Sequence, residues 1–312
     1  PPSVLIVGSV AIDSVKTPLG EVDNVLGGAA VYSSVAARFF APVGIVAVAG
    51  EDFPREHLEF LRMRGVDLRG LQIRPGKTFR WKGFYDYDVN QAHSLETHLN
   101  VFEQFHPTIP DAYREAAYVF LANIDPELQL EVLQQVRRPK LTLCDTMNFW
   151  IERKPEALVE VLKRVDVACM NDAEARQLCG TFSLVKAARE IMSFGPRVVV
   201  IKKGEYGCVM FTPTTYFAVP AYPLEEVRDP TGAGDSFAGG FIGYLAAVAD
   251  LSPEALKQAV VHGSVVASFT VEDFGVNRLR DLDRQRIAER YRQLRVFTDF
   301  GEDRCWPSST GP

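Results

Sequence analysis

Short apolar runs alternate with amphipathic stretches along most of this chain. Residues 4–13 (VLIVGSVAID), 43–50 (VGIVAVAG), 118–123 (YVFLAN), 140–147 (KLTLCDTM), 165–171 (VDVACMN) and 197–204 (RVVVIKKG) are the strand-like runs, apolar without alternation, as in strands covered on both faces. Between them, residues 27–40 form a small-residue helix. Residues 55–66, 126–136, 154–165 and 183–192 read as further helices. This βαβα order predicts an α/β fold, a mainly parallel sheet with helices on both faces. Ligands of such sheets bind beyond the C-terminal ends of the strands, where Asp13, Asn123, Asp145, Asn171 and Gly204 fall.

Two stretches break the pattern. Residues 14–27 and 76–102 lack a helical period and are rich in β-formers and polar residues, which predicts a small β subdomain placed as a lid. The expected division is a core of residues 1–12, 27–76 and 105–297, a discontinuous lid of 13–26 and 77–104, and a loose tail of 298–312.

The chemistry concentrates in residues 229–241, DPTGAGDSFAGGF, between the strand-like TTYFAVPAY and an almost wholly apolar helix. Gly232 and Gly234 let backbone N–H groups, with that of Ala233, converge at the helix N-terminus, a ready anion site. Asp235 follows in the first turn. A phosphate cradle beside a carboxylate suits phosphoryl transfer to a hydroxyl: the donors stabilise charge on the moving group and the acid takes the acceptor's proton. In isolation, such a GxGD is more often a structural loop with Asp as a cap. Gly239, Gly240 and Gly243 each cost the helix about 0.8–1 kcal/mol against Ala, which predicts close backbone packing against the sheet. The stretch from Asp235 to Asp250 falls short of the about 20 apolar residues that span a membrane.

Charge narrows the field. A net −6 with no basic cluster disfavours nucleic acid and anionic membranes as partners. An acidic chain that handles a nucleotide needs local positive charge, backbone amides and a metal. Five cysteines (Cys144, Cys169, Cys179, Cys208, Cys305) without CxxC spacing read as free thiols. The first apolar stretch lacks a basic flank and reads as a buried strand rather than a leader, so the cytoplasm is the expected location. GKT at residues 76–78 lacks the upstream glycine of a Walker A loop, since position 71 is Leu71, and no GxGxxG follows the first strand.

Together these segments resemble the ribokinase-like (PfkB) carbohydrate and nucleoside kinases over almost the whole chain, most specifically in DPTGAGD. The resemblance implies a ribokinase-like three-layer sandwich with a β lid, and ATP with Mg²⁺ as cofactors. Asp235 is then the base, with Gly232, Ala233 and Gly234 as its anion hole. Asn171 and Glu174 (NDAE) match the NxxE element that organises water and Mg²⁺, and Lys203, Gly204 and Gly207 lie along the nucleotide. Ser264 and Gly275 fall near the adenine side. Asp229 and Thr231 fall where some members bind a monovalent cation such as K⁺. Asp13, Gly27, Gly28 and Asn123 are placed at the acceptor, and Asp145 with Asn148 loosely resembles the DxN element of sugar kinases.

Departures from the pattern bear on the acceptor. Tyr32 stands where sugar kinases often carry Asn, and Ala11 where they carry a second polar residue. Trp81, Phe84, Tyr85, Tyr87, Phe149 and Trp150 supply aromatic surface, either as core or as a platform for an acceptor larger than a pentose. The expected activity is phosphorylation of an alcohol on a sugar or sugar-containing small molecule. A nucleoside kinase of the same fold and a non-catalytic sugar or nucleotide sensor are the alternatives. Lids of this type sometimes pair between subunits, which admits a homodimer through the lid.

Overall fold

The computed structural model describes residues 1–301, so Cys305 and most of the 298–312 tail lie outside the described residues. In chain order its strands are β1 (Val4–Val7), β2 (Ala11–Thr17), β3 (Gly20–Gly27), β4 (Val43–Gly50), β5 (Val66–Arg74), β6 (Phe79–Phe84) and β7 (His93–His98). There follow β8 (Tyr118–Leu121), β9 (Leu141–Cys144), β10 (Val167–Asn171), β11 (Val198–Lys202), β12 (Cys208–Phe211) and β13 (Tyr216–Val219). Nine of them form one sheet in the order β13-β12-β11-β10-β9-β8-β1-β4-β5. It is parallel except for β12 and β13, which return antiparallel at one edge.

The helices are α1 (Ala29–Arg38), α2 (Arg55–Met63), α3 (Pro126–Gln135), α4 (Asn148–Arg153), α5 (Pro155–Leu162) and α6 (Asp172–Cys179). After them come α7 (Leu184–Phe194), α8 (Ala233–Val248), α9 (Pro253–Thr270), α10 (Asn277–Arg280) and α11 (Arg284–Thr298). Alternate residues of each strand feed two cores. One packs α1, α8, α9 and α11 on the sheet through residues such as Ile6, Ile45 and Val200; the other packs α5, α6 and α7 through Leu5, Val199 and Ile201. This is the expected three-layer arrangement. Among the described residues no helix is long and apolar enough to cross a membrane.

The remaining strands form a separate four-stranded sheet, β3-β2-β6-β7. The apolar run 4–13, expected as one strand, is therefore two strands in two sheets. The break is physical: Ser9 turns out of the sheet to hold the start of α1, its carbonyl accepting from Ala30 N–H (2.9 Å) and its Oγ from Ala29 N–H (3.0 Å). The helical stretch 55–66 stops at Met63, and Gly65 at φ +75 turns the chain into β5.

The glycines of α8 do mark close packing, but against helices rather than the sheet. A Cβ on Gly239 would lie 2.2 Å from the Ser33 carbonyl oxygen of α1, and one on Gly243 2.8 Å from Ala37. Gly240 faces Gly263 of α9 in the same way. Wedged between α1 and α9, α8 presents a fixed N-terminus to the end of the sheet.

Candidate active site

Four parts of the chain meet at the C-terminal ends of the central strands: β2 of the smaller sheet, the start of α1, the ends of β9 to β11, and the N-terminus of α8. Gly232 caps α8 at φ +77, and a Cβ there would come within 2.4 Å of the Tyr32 ring. Only glycine fits both that conformation and that contact. Ala233 N–H donates to Pro230 O (3.2 Å), closing the turn. Asp235, in the first turn of α8, is driven up to about 7, first by burial, then by the negative charge of Asp145, with Lys202 opposing.

Asp13 faces Asp235 from the lid side. Its carboxylate lies against Gly27, where a Cβ would sit 1.9 Å from Oδ2, and the Gly28 backbone holds it by a hydrogen bond. Gly28 itself, at φ +98, begins α1 with no room for a side chain beside the Ser9 carbonyl. The Gly27–Gly28 pair thus serves as the helix-start turn and also makes space for the acid. Burial, and then the charges of Asp229 and Asp235, push Asp13 up to about 8. Two buried carboxyl groups raised towards neutrality, the charge of Asp235 acting on Asp13, can hold and pass on a hydroxyl proton.

Three residues at the strand ends and the start of α1 carry buried polar atoms without a partner among the described residues: Asn123 Oδ1, Thr146 Oγ1 and Tyr32 Oη. Such atoms cost about 1–3 kcal/mol unless something satisfies them, as a buried water does. Tyr32 is 1% exposed, so its ring cannot stack on an acceptor. It supports the glycine turn from beneath.

The aromatic platform also resolves differently. Tyr87 is exposed, Phe84 stacks on His93, the Trp81 indole donates to Ser94 Oγ, and Phe149 packs edge-on against Trp150 on the other side of the sheet end. Strand alternation in β6 puts Trp81 and Phe84 on opposite faces. Tyr85 alone of this set docks on the glycine turn, through a 3.2 Å hydrogen bond between Thr231 Oγ1 and its hydroxyl.

At the end of β10, Asn171 and Glu174 form a reciprocal capping box at the start of α6. Asn171 Oδ1 accepts from Glu174 N–H (2.8 Å) and Glu174 Oε2 accepts from Asn171 N–H (2.7 Å). The cap and the expected metal role share one pair of residues. Burial and then Asp145 raise Glu174 to about 7, with Lys202 opposing. Among the described residues no three His, Cys, Asp or Glu side chains converge to hold a metal ion directly.

Gly204 (φ +56) and Gly207 (φ +84) shape the turn from β11 to β12, closed by Lys203 N–H donating to Gly207 O (2.7 Å). The lid residue Asn90 lies against Gly204, and Ser264 of α9 packs on Cys208 of β12. Asp229, 1% exposed, has both oxygens engaged by backbone, Oδ1 by Thr231 N–H and Oδ2 by Gly275 N–H. The loose DxN pair separates. Asp145 is buried in the site, whereas Asn148 is exposed and donates to Gln177.

One buried charged side chain was missed. Lys202, rather than Lys203, enters the site, its Nζ 2.9 Å from Asp145 Oδ2 and beside the α carbon of Gly234. The signal was strand alternation: Val198, Val200 and Lys202 share the face that carries α8, and Lys203 already lies beyond the strand.

The sequence profile described as pfkB family carbohydrate kinase matches residues 2–281. A cytidine kinase of Thermococcus kodakarensis is 34% identical over 246 residues, covering 77% of this chain and 87% of that protein. Among solved structures, the nucleoside kinase of Methanocaldococcus jannaschii superposes with a TM-score of 0.74 at 21% identity, over 93% of this chain and 98% of its own. A ribokinase II candidate from E. coli, solved with ATP and Mg²⁺, gives 0.77 at 18% identity, over 93% and 99%. The chain belongs to the pfkB family of carbohydrate kinases. It is an ATP-dependent kinase that phosphorylates an alcohol group of a sugar or sugar-containing small molecule.

Proposed function

We propose that this chain is a nucleoside kinase that phosphorylates the primary hydroxyl of a ribonucleoside, with cytidine as the first acceptor to try. The observation that carries this reading is the 34% identity to a cytidine kinase over 87% of that protein's length. Asp13 orients the acceptor and Asp235 takes the proton of the attacking hydroxyl. The N–H groups of Gly232 and Gly234 face the developing charge, since that of Ala233 is engaged with Pro230.

ATP and Mg²⁺ fit the residues present. The N-terminus of α8 and Lys202 answer the charge of the phosphates. Glu174, with one oxygen held in the cap, would hold Mg²⁺ through water, as suits an ion that keeps several waters. When bound, the metal neutralises phosphate charge. The lid contacts of Tyr85 at Thr231 and Asn90 at Gly204 keep water from competing for the phosphoryl group. A monovalent cation such as K⁺ beside Asp229 and Thr231 would brace the same turn.

Two measurements test this reading. In a coupled assay over cytidine, uridine, adenosine, inosine, ribose and fructose, kcat/KM for a nucleoside is expected to exceed that for free ribose by about 10-fold or more, the discrimination that one or two lost apolar contacts produce. Ribose preferred over every nucleoside would overturn the assignment. Glu174→Gln is expected to raise the Mg²⁺ concentration for half-maximal activity more than the acceptor KM, and an unchanged Mg²⁺ titration would remove Glu174 from the metal.

A further inference from the structure

The ammonium of Lys202 lies where cations are disfavoured. It abuts the α carbon of Gly234 in the first turn of α8, so that a Cβ there would come within 2.9 Å of Nζ. The positive end of a helix dipole repels such a charge. The side chain is also largely buried, at 17% exposure, and is paired with Asp145 at 6%. Buried ion pairs contribute little net stability, because desolvation offsets their attraction. The location makes sense when an anion comes between the ammonium and the helix. Three carboxyl groups, Asp145, Glu174 and Asp235, act on this one cation.

We propose that Lys202 is a catalytic residue of phosphoryl transfer: its ammonium, held by Asp145 in the ligand-free chain, binds the oxygens of the transferred phosphoryl group at the N-terminus of α8. This rests on the kinase reading above. In the step it serves, the bond from the acceptor oxygen to phosphorus forms as the bond from phosphorus to the bridging oxygen of ADP breaks. ADP leaves with that electron pair, and the hydroxyl proton goes to Asp235. Lys202 neutralises charge on the non-bridging oxygens and keeps its own proton, which its acidic neighbours bind more firmly. Asp145 is a positioning residue. Its Oδ1 is fixed by Thr146 N–H at 2.9 Å, which leaves Oδ2 to aim the ammonium.

The test is a charge cycle of Lys202→Met, Lys202→Arg, Asp145→Asn and the Lys202→Met/Asp145→Asn double variant. A purely structural pair predicts that removing both charges restores what removing one destroys. The proposal predicts instead that Lys202→Met lowers kcat by about 10²–10³-fold with little change in acceptor KM. The double variant stays equally slow, and Lys202→Arg recovers part of the rate. A second readout needs no turnover. Mg-ADP, aluminium fluoride and acceptor together, a mimic of the moving phosphoryl group, should raise the melting temperature of wild type beyond Mg-ADP alone. Lys202→Met should lose that increment while keeping the Mg-ADP shift. Should Lys202→Met fail to fold, the double variant, with no stranded buried charge, carries both readouts. Near-wild-type turnover by the double variant, or an intact fluoride-dependent shift without the lysine, overturns the proposal. Failure of the kinase reading would look different: wild type itself would release no acceptor-dependent ADP.

Discussion

Asp235→Asn is expected to lower kcat by about 10²–10⁴-fold, the usual contribution of a positioned general base, while Mg-ATP still binds. Asn matches Asp in shape, so the α8 N-terminus and its cradle survive and only proton acceptance is lost. Because the proton moves only in the chemical step, kcat and kcat/KM should fall together and the acceptor KM should change little. The substitution also removes a carboxylate that burial penalises, so the variant should fold at least as well as wild type. Calorimetric titration with Mg-ATP beside single-turnover kinetics separates the two effects. Near-normal turnover in a folded variant would remove Asp235 from the mechanism.

The pH dependence should be nearly as large. A general base must be ionised, and burial with the charge of Asp145 holds Asp235 near 7. kcat/KM, which reports the free enzyme, should therefore fall about tenfold per unit below pH 7, roughly 100-fold by pH 5. Stability should move the other way. The folded chain holds protons on Asp235 up to about pH 7 and on Asp13 up to about pH 8, whereas the unfolded chain releases them near the usual carboxylate value. Between roughly pH 4 and 8 the native state thus binds more protons, and the stability of the ligand-free protein falls as pH rises through that window. Above it the contribution stays lost. Melting temperatures at pH 5.5 and 8 check the sign: wild type should lose more over that interval than Asp235→Asn. A flat kcat/KM profile from pH 5 to 8 would place the catalytic proton elsewhere.

The central strands and the glycine turn were legible because each follows from local rules, apolar runs for buried strands and Gly232 and Gly234 for backbone beside an anion. What the sequence hid depends on contacts between distant segments. Residues 4–13 read as one apolar run, and nothing local marks Ser9 as the point where the chain leaves one sheet for another. β5 is an edge strand whose VDLRGLQIR mixes charged and apolar residues, so its apolar signal is weak. Tyr32 read as a residue bearing on the acceptor because its burial beneath Gly232 depends on a contact 200 positions away. The α8 glycines correctly signalled close packing, but whether a sheet or a helix lies opposite is fixed by where α1 and α9 settle. Lys202 and Lys203 are adjacent and chemically alike; only the register of β11 against the α8 layer separates the buried one from its neighbour.

The central claim is acceptor-dependent phosphoryl transfer by this chain to a nucleoside. The most direct measurement incubates the purified protein with ATP, Mg²⁺ and cytidine, follows ADP release, and locates the phosphate on the product by phosphorus NMR. The account predicts one ADP per nucleoside consumed, with the phosphate on the primary ribose oxygen and the signal lost in Asp235→Asn. ADP release that is the same with and without any nucleoside would contradict it.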